Sequence, residues 1–212
     1  MHCIACTSLT YRHLDLGFLY LWDRYFGVPC EIFETEQDSW RESIFRRLQA
    51  IEDSRILFVL TDYWLVKPVE PERLRGAIQM LDRGMADKVD LTNQVHHFAH
   101  VDQPGYYEAT QTASYRQSTQ AFVATRDFML RYFGQGPDDP WAWETNGFPA
   151  NDGMKICGYQ DKIMDYANVM YKRAADGFQL ARFSDEVLGE LDRIGALTEL
   201  MTPARIRAHG PA

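Results

Sequence analysis

The stretch Arg55-Ile-Leu-Phe-Val-Leu-Thr-Asp-Tyr-Trp-Leu65 contains the pattern that decides the fold. Ile56 to Leu60 is an unbroken apolar run with β-branched members and neither glycine nor proline. Such a run is typical of a central strand that is buried on both faces. The sequence therefore predicts a buried strand over Arg55 to Leu60, and Asp62 follows its carboxyl end.

Segments on both sides of this strand continue the same kind of pattern. Apolar runs predict three further strands, over His2 to Thr7, Cys30 to Thr35 and Val89 to Leu91. Apolar residues at helical spacing predict helices over Tyr11 to Phe26, after a cap at Asp38 or Ser39, and over Glu72 to Arg83. The first ninety residues thus alternate strand and helix, which predicts a parallel, doubly wound sheet with helices on both faces.

The second half of the chain has a less regular pattern. It predicts one or two strands within Tyr107 to Phe122, a helix from Thr125 or Arg126 to Gly134, a short helix from Pro140 through Glu144, and an amphipathic helix over Ser184 to Leu200. Asn93 to Tyr107 and Asn146 to Gly158 are predicted to be mainly loop. We expect a single domain, in which 1–93 form one half, 94–183 the other, and 184–212 a C-terminal helix and tail.

Composition narrows the classes of function. The chain has 212 residues and a formal net charge of −8, which disfavours nonspecific binding to nucleic acid. The longest apolar run, Ile56 to Leu60, is too short to span a bilayer, and the N-terminus lacks the pattern of a signal peptide. A cytoplasmic protein with reduced thiols is expected. Neither a G-x-G-x-x-G nor a P-loop motif occurs, which disfavours dinucleotide oxidoreductases and P-loop NTPases.

The first two cysteines form a C-x-x-C in the first predicted strand. Cys3 and Cys6 are three residues apart, so in a strand their side chains point to opposite faces of the sheet. No second C-x-x-C occurs in the chain, and the pair is therefore not expected to bind a metal.

Asp62 is the most informative polar residue. Ligands of doubly wound sheets bind at the carboxyl ends of the strands, where Thr7, Ser8, Thr35 and Asp62 are all expected to lie. A carboxylate there could share a divalent cation with phosphate oxygens of a ligand. The alternative is that Asp62 only caps a turn.

Four segments resemble, in the same order, the GT-A-like bacterial glycosyltransferases found among capsule and surface-polysaccharide genes. These segments are Ser39-Trp40 before a helix, Arg55 to Val69, Tyr115-Arg116-Gln117-Ser118, and Asp139-Pro140-Trp141-Ala142-Trp143-Glu144. Together they span roughly residues 2 to 180. The family usually has two acidic residues where this chain has Thr61-Asp62.

The resemblance implies an α/β, GT-A-like fold with a Rossmann-like, mostly parallel central sheet flanked by helices. It implies transfer of a sugar from a nucleotide-sugar donor to a hydroxyl of a glycan or another acceptor, with inversion favoured. A divalent cation, Mn²⁺ or Mg²⁺, would be held by Asp62. With one carboxylate fewer than the family pattern, backbone amides and Arg116 could neutralise the diphosphate instead.

The resemblance also assigns expected roles to individual residues. The catalytic residues would be Asp62 and Glu144, with Glu144 as the general base that takes the proton of the acceptor hydroxyl. The donor would contact Thr7, Trp40, Asp62 and Arg116. The acceptor would contact Tyr63 and Trp141.

Three alternative functions are compatible with the sequence. The chain could bind a nucleotide sugar or glycan without turnover, since a fold can persist after its chemistry is lost. It could be a nucleotidyltransferase, although that class usually has a basic, glycine-rich loop near its N-terminus. It could also be a glycosyltransferase that acts on modified nucleic acid, which the net charge of −8 disfavours.

Overall fold

The computed structural model describes residues 1–35, 39–93, 98–100, 105–112, 116–138, 140–145, 152–170 and 180–200. The strands in these ranges are β1 (His2–Ser8), β2 (Glu31–Thr35), β3 (Arg55–Leu60), β4 (Tyr63–Leu65), β5 (Lys88–Asp90), β6 (Phe98–His100), β7 (Tyr106–Ala109), β8 (Phe122–Thr125), β9 (Ile156–Tyr159) and β10 (Tyr166–Asn168). The α-helices are α1 (Asp15–Tyr25), α2 (Trp40–Gln49), α3 (Pro71–Asp82), α4 (Arg126–Phe133), α5 (Pro140–Thr145), α6 (Asp185–Arg193) and α7 (Ala196–Leu200).

The described strands form one large mixed sheet and one small one. The large sheet has eight strands in the order β2-β1-β3-β8-β5-β9-β7-β6, and β4 pairs separately with β10. Because only β8 and β7 run against the others, six of the eight strands point the same way. The expected α/β fold, with a mostly parallel central sheet flanked by helices, is confirmed.

The four strands predicted in the first ninety residues, β1, β2, β3 and β5, all run in the same direction as expected, but a strand from the second half lies among them. β8 lies between β3 and β5 and pairs antiparallel with both, so that Phe122 is opposite Phe58 on one side and Asp90 on the other. Local periodicity defines a strand but not its neighbours, and β8 comes more than thirty residues after β5. As a result, both halves of the chain contribute strands to one sheet.

Apolar side chains cover both faces of the sheet, as expected for a doubly wound arrangement. On one face, α1, α3 and α6 pack on the sheet, and Phe18, Leu74 and Val187 belong to the same buried cluster. On the other face, α2 and α4 form a second core. Cys3 lies in the first cluster and Cys6 in the second, which confirms that they face opposite sides.

Several elements of the second half differ from the sequence-based expectations. Segments predicted to be mainly loop contain β6 and β9, and β8 begins only at Phe122. Each of these strands is three or four residues long, too short to show a reliable periodicity. The predicted C-terminal helix is two helices, because the chain turns at Gly195 with a φ of +83°. The start of α4 is confirmed, since the Oγ1 of Thr125 accepts from the N–H of Phe128.

Trp64 packs directly against the helix that follows β1. This side chain is fully buried, and a Cβ atom on Gly17 of α1 would lie 2.2 Å from its ring. Only a glycine at position 17 allows this approach, because real Cβ contacts are never so short. The contact fixes the segment after β3, and therefore Asp62, against α1.

We expect Gly17→Ala to lower the free energy of unfolding by roughly 1–3 kcal/mol, because the added methyl group overpacks the core. Gly189→Ala is a matched control within α6, where a Cβ would have nothing within 4 Å. The control should raise the free energy of unfolding by roughly 0.4–1 kcal/mol, since alanine restricts the unfolded chain. Urea unfolding of both variants measures the difference, and equal effects would contradict the packing of Trp64 on α1.

Candidate functional site

Polar residues from several elements meet at the carboxyl edge of the central strands. The N–H of Thr61, just after β3, donates to the carbonyl of Cys6 in β1 at 3.1 Å. The N–H of Leu91, just after β5, donates to the carbonyl of Ala121 at 3.0 Å. Since β8 is antiparallel, the residues that precede it lie at this same edge. The strand order reverses beside β1, which makes this edge the expected ligand site of a doubly wound sheet.

Asp62 lies at this edge, two residues after the end of β3. Its residue is 8% exposed, and its carbonyl accepts from the N–H of Val169 at 2.9 Å. Burial raises the pKa of the Tyr11 hydroxyl, and the carboxylate of Asp62 raises it further. Burial also raises the pKa of the Cys6 thiol to about 12, with a smaller contribution from Asp62. The carboxylate therefore acts on groups of two neighbouring elements.

Asp15, at the start of α1, is a second carboxylate at this edge. Burial raises its pKa, while the nearby hydroxyls of Thr7 and Thr61 oppose the change. Oδ1 of Asp15 is buried and has no hydrogen-bond partner among the described residues. The same holds for Oγ1 of Thr61. Two buried polar atoms near Asp62 therefore lack a hydrogen-bond partner among the described residues.

The residues around Asp62 do not fit a metal site made by the protein alone. Thr61 stands where the resembling family has an acidic residue, and a hydroxyl is a weaker ligand for Mn²⁺ or Mg²⁺ than a carboxylate. In the described part of the chain, no group of three or more His, Cys, Asp or Glu side chains is arranged to hold a metal ion. Asp62 could contribute at most one ligand alongside phosphate oxygens of a donor.

Three other residues expected to bind donor or acceptor are largely buried. Thr7 is 5% exposed, and its carbonyl accepts from the Oγ1 of Thr35 at 3.0 Å. Trp40 packs in the core, with its ring centroid 5.6 Å from that of Phe133. The ring of Tyr63 packs at a tilt of 42° against that of Tyr166, with 4.3 Å between the ring centroids. These side chains line or support the edge, and little of their surface is open to a ligand.

Glu144, in α5, is held by the segment that precedes β8. Its Oε1 accepts from the backbone N–H of Thr119 at 2.7 Å, from the Oγ1 of Thr119 at 2.7 Å and from the Oγ of Ser118 at 3.4 Å. Among the described residues, no hydrogen bond is made by Oε2. One carboxylate oxygen is therefore fixed, while the other is available to a second molecule. The side chain of Trp141, in the same helix, lies outside the described residues.

Lys88 is a buried cation next to this segment. It lies on β5, is 2% exposed, and donates from Nζ to the carbonyl of Ser118 at 2.6 Å. Burial lowers its pKa from 10.5 to about 8, although the carboxylates of Asp90 and Glu144 oppose this change and Arg116 adds to it. Asp90 is also fully buried, and its Oδ1 accepts from the N–H and the hydroxyl of Thr92.

Arg116 is held in an internal ion pair. Its guanidinium donates twice to the carboxylate of Asp152, at 3.0 and 3.2 Å, and once to the carbonyl of Met154. Both charged residues are about 5% exposed. Because a bidentate pair uses the fork that would otherwise bind phosphate, Arg116 is arranged to anchor the chain before β9.

A hydrogen-bonded group joins the small sheet to the large one at the same edge. The side chain of Gln120 contacts the hydroxyls of Thr92, at 3.1 Å, and of Tyr166, in β10. The ring of Tyr166 in turn packs against that of Tyr63 in β4. The strand after Asp62 is thus connected to the segment that holds Glu144, although no direct contact joins the two carboxylates among the described residues.

Sequence reasoning missed several polar residues of the site. They are Asp15, Thr61, Lys88, Asp90, Ser118 and Thr119. Lys88 and Asp90 could have been found from the sequence, because they stand at the two ends of the short strand Lys88-Val89-Asp90. Charged side chains in a buried strand need polar or oppositely charged partners. The others depend on contacts between segments far apart in the chain, which local patterns do not reveal.

Comparisons with known proteins give low similarities. No protein-family model matches the chain, and no curated protein is similar to it. Solved structures that resemble it include bifunctional IspDF from Campylobacter jejuni (12% identity, TM-score 0.49, covering 87% of this chain and 54% of that one). A second is a UDP-glucose pyrophosphorylase complexed with UDP-glucose (11% identity, TM-score 0.49, covering 85% of this chain and 79% of that one). A third is S. aureus TarS 1-349 (14% identity, TM-score 0.48, covering 99% of this chain and 73% of that one). At these TM-scores, the likenesses assign no reaction to this chain.

None of the helices in the described residues is both long enough and apolar enough to cross a bilayer.

The buried ammonium of Lys88 predicts a specific dependence of stability on pH. Because the native pKa is about 8 and the unfolded value is 10.5, the unfolded chain binds more protons between these pH values. The free energy of unfolding therefore rises with pH in this range, as a cost of roughly 3 kcal/mol present below pH 8 is removed. We expect wild type to gain stability relative to Lys88→Met between pH 8 and 10 in urea unfolding.

The matched control is Lys67→Met, since Lys67 is 52% exposed. The difference in free energy of unfolding between Lys67→Met and wild type should stay constant over the same pH range. A constant difference for Lys88→Met as well would show that Lys88 titrates at an ordinary pKa.

Proposed function

We propose that this chain is a glycosyltransferase that moves a sugar from a nucleotide-sugar donor to a hydroxyl acceptor, with Glu144 as the general base. The single observation that carries this proposal is the geometry of Glu144. One carboxylate oxygen accepts three hydrogen bonds from Ser118 and Thr119, and the other has no partner among the described residues. The resemblance of Asp139 to Glu144 to the glycosyltransferase motif supports the same role.

The reaction follows from this arrangement. The acceptor hydroxyl donates a hydrogen bond to Oε2 of Glu144, and its oxygen attacks the anomeric carbon of the donor. A bond forms between these two atoms, the bond from the anomeric carbon to the diphosphate breaks, and the proton passes to Glu144. The nucleoside diphosphate leaves with the bonding electron pair. Attack opposite the leaving group gives inversion, which the proposed base favours.

The donor end of the site is proposed at Asp62, Asp15 and Thr61. A buried polar atom without a hydrogen bond costs about 1–3 kcal/mol, so Oδ1 of Asp15 and Oγ1 of Thr61 favour a ligand that supplies hydroxyl groups. The ribose or sugar of a nucleotide sugar offers such groups. Asp62 would orient the same ligand, or share a divalent cation with its diphosphate. No step of the reaction is assigned to the cation.

The remaining expected residues have supporting roles in this proposal. Thr7 presents backbone at the end of β1, and Trp40 and Tyr63 pack beneath the edge. Arg116 holds the chain before β9 through Asp152 and is not needed for the diphosphate. Trp141 stays a candidate for stacking on an acceptor sugar. Under this proposal, the half formed by residues 1–93 would bind the donor, and the half formed by residues 94–183 would supply the base.

Asp62→Asn should abolish the rise in melting temperature that a matching donor causes in wild type. A ligand that binds only the native state stabilises it, and the substitution removes the charge that orients the ligand. The measurement is a thermal-shift panel of UDP-, GDP-, CMP- and dTDP-sugars, each with and without Mn²⁺.

Asp23→Asn is the matched control, because Asp23 is an exposed carboxylate near the other end of α1. It should keep the full donor-dependent shift. The absence of a shift with every donor, in both metal conditions, would contradict the donor site.

Glu144→Gln should keep the donor-dependent shift but lower kcat for sugar transfer by roughly 10²- to 10⁴-fold, the usual contribution of a general base. The amide has nearly the same shape as the carboxylate but cannot take the proton. Rates are measured as release of nucleoside diphosphate in the presence of simple glycoside acceptors. A variant with wild-type kcat would exclude Glu144 as the base, and donor binding without any turnover in wild type would support a binding protein.

A further inference from the structure

The peptide group between Ser118 and Thr119 lies between two opposite charges. Its carbonyl oxygen, which belongs to Ser118, accepts from Nζ of Lys88 at 2.6 Å. Its N–H, which belongs to Thr119, donates to Oε1 of Glu144 at 2.7 Å. Lys88 and Glu144 are therefore connected through a single peptide unit, with the cation at its negative end and the carboxylate at its positive end.

This arrangement strengthens both hydrogen bonds. A cation on the carbonyl oxygen withdraws electrons from the amide, which makes its N–H a better donor, and hydrogen bonds in such chains reinforce one another. Both bonds also have a charged partner and are stronger than neutral ones. The ammonium of Lys88 therefore acts on the orientation of Glu144 without touching it.

The surroundings of Lys88 favour this use of its charge. Its Nζ lies 4.4 Å from the ring centroid of Phe122, on the sheet face that α2 and α4 cover. The charged groups that act on it are Asp90 and Glu144, which favour the ammonium, and Arg116, which opposes it and is itself paired with Asp152. A buried amine with one hydrogen bond among the described residues is costly, so its position at this peptide calls for a reason beyond packing.

We propose that Lys88 is a positioning residue for Glu144, which it holds in place through the peptide group of Ser118 and Thr119. The ammonium keeps this peptide in the orientation that binds Oε1, so that Oε2 points away from the segment before β8. The catalytic consequence rests on the proposed function of Glu144 as a base, while the coupling between the two side chains does not.

The coupling itself is tested without any activity. The Nζ resonance of Lys88 is followed by NMR during a pH titration of protein labelled with ¹⁵N-lysine and is assigned by its proximity to the ring of Phe122. In wild type it should titrate near pH 8. In Glu144→Gln the pKa of Lys88 should fall, because one of the two carboxylates that favour the ammonium is removed. Glu52→Gln, at an exposed carboxylate in the loop after α2, should leave it unchanged.

The catalytic consequence is tested with Lys88→Met, which keeps the length of the side chain but removes its charge. We expect kcat for transfer to fall roughly 10- to 100-fold with little change in KM for the donor, as for other small misplacements of a catalytic group. In wild type, kcat should decline above about pH 8 as Lys88 loses its proton, and this decline should be absent from the variant. A fall in kcat accompanied by an equal rise in the KM for the donor, with an unchanged pH dependence of kcat, would indicate a merely structural role.

The two sets of results separate the proposals. If Glu144→Gln leaves the pKa of Lys88 unchanged, the proposed link through Ser118 and Thr119 is overturned whatever the enzyme does. If the pKa falls but wild type transfers no sugar, the coupling between Lys88 and Glu144 stands and the proposed function fails. If Lys88→Met does not fold, the titration in wild type and Glu144→Gln still decides the question.

Discussion

The antiparallel pairing of β8 between β3 and β5 is the constraint on which the rest of the site depends. In a wholly parallel sheet, the residue that follows each strand would lie at the carboxyl edge, and the residue that precedes it would lie at the opposite edge. Because β8 is reversed, Ser118, Thr119 and Gln120 come to the same edge as Asp62 and Thr92. Those three residues hold Glu144 and contact the small sheet, so the reversal joins the two halves of the chain in one site.

Several charged side chains in and near the candidate site are buried, which costs free energy of folding. Lys88, Asp90, Arg116 and Asp152 are all almost fully buried, and isolated charges in such positions would strongly destabilise the fold. The structure reduces this cost by pairing Arg116 with Asp152 and by setting Lys88 near Asp90 and Glu144. Buried ion pairs of this kind contribute little net stability compared with apolar side chains. The buried pair of Arg116 and Asp152 and the buried ammonium of Lys88 are therefore not explained by stability alone.

The sequence predicted the elements that have a strong local pattern. The run from Ile56 to Leu60 identified β3, the spacing of Phe18, Leu21 and Trp22 identified α1, and a helix beginning at Thr125 or Arg126 was predicted where α4 lies. It did not predict β6, β9 and β10, because strands of three or four residues carry too few side chains to show a period. It also missed the reversal of β8, since strand neighbours are set by long-range packing.

The candidate site was predictable to a similar extent. The position of Asp62 followed from the end of a buried strand, and Glu144 was found through a resemblance between short motifs. The partners of Glu144 could not be predicted, because Lys88 and Thr119 are far from it in the chain. The diphosphate role expected for Arg116 did not anticipate its pairing with Asp152, a residue thirty-six positions later.

The most direct test of the central claim is a crystal structure with the nucleotide sugar that stabilises the chain most. The account predicts that the diphosphate lies beside Asp62 at the carboxyl edge of β1 and β3, with the anomeric carbon facing Oε2 of Glu144. A donor bound at the opposite edge of the sheet, or one whose anomeric carbon faces away from Glu144, would contradict it.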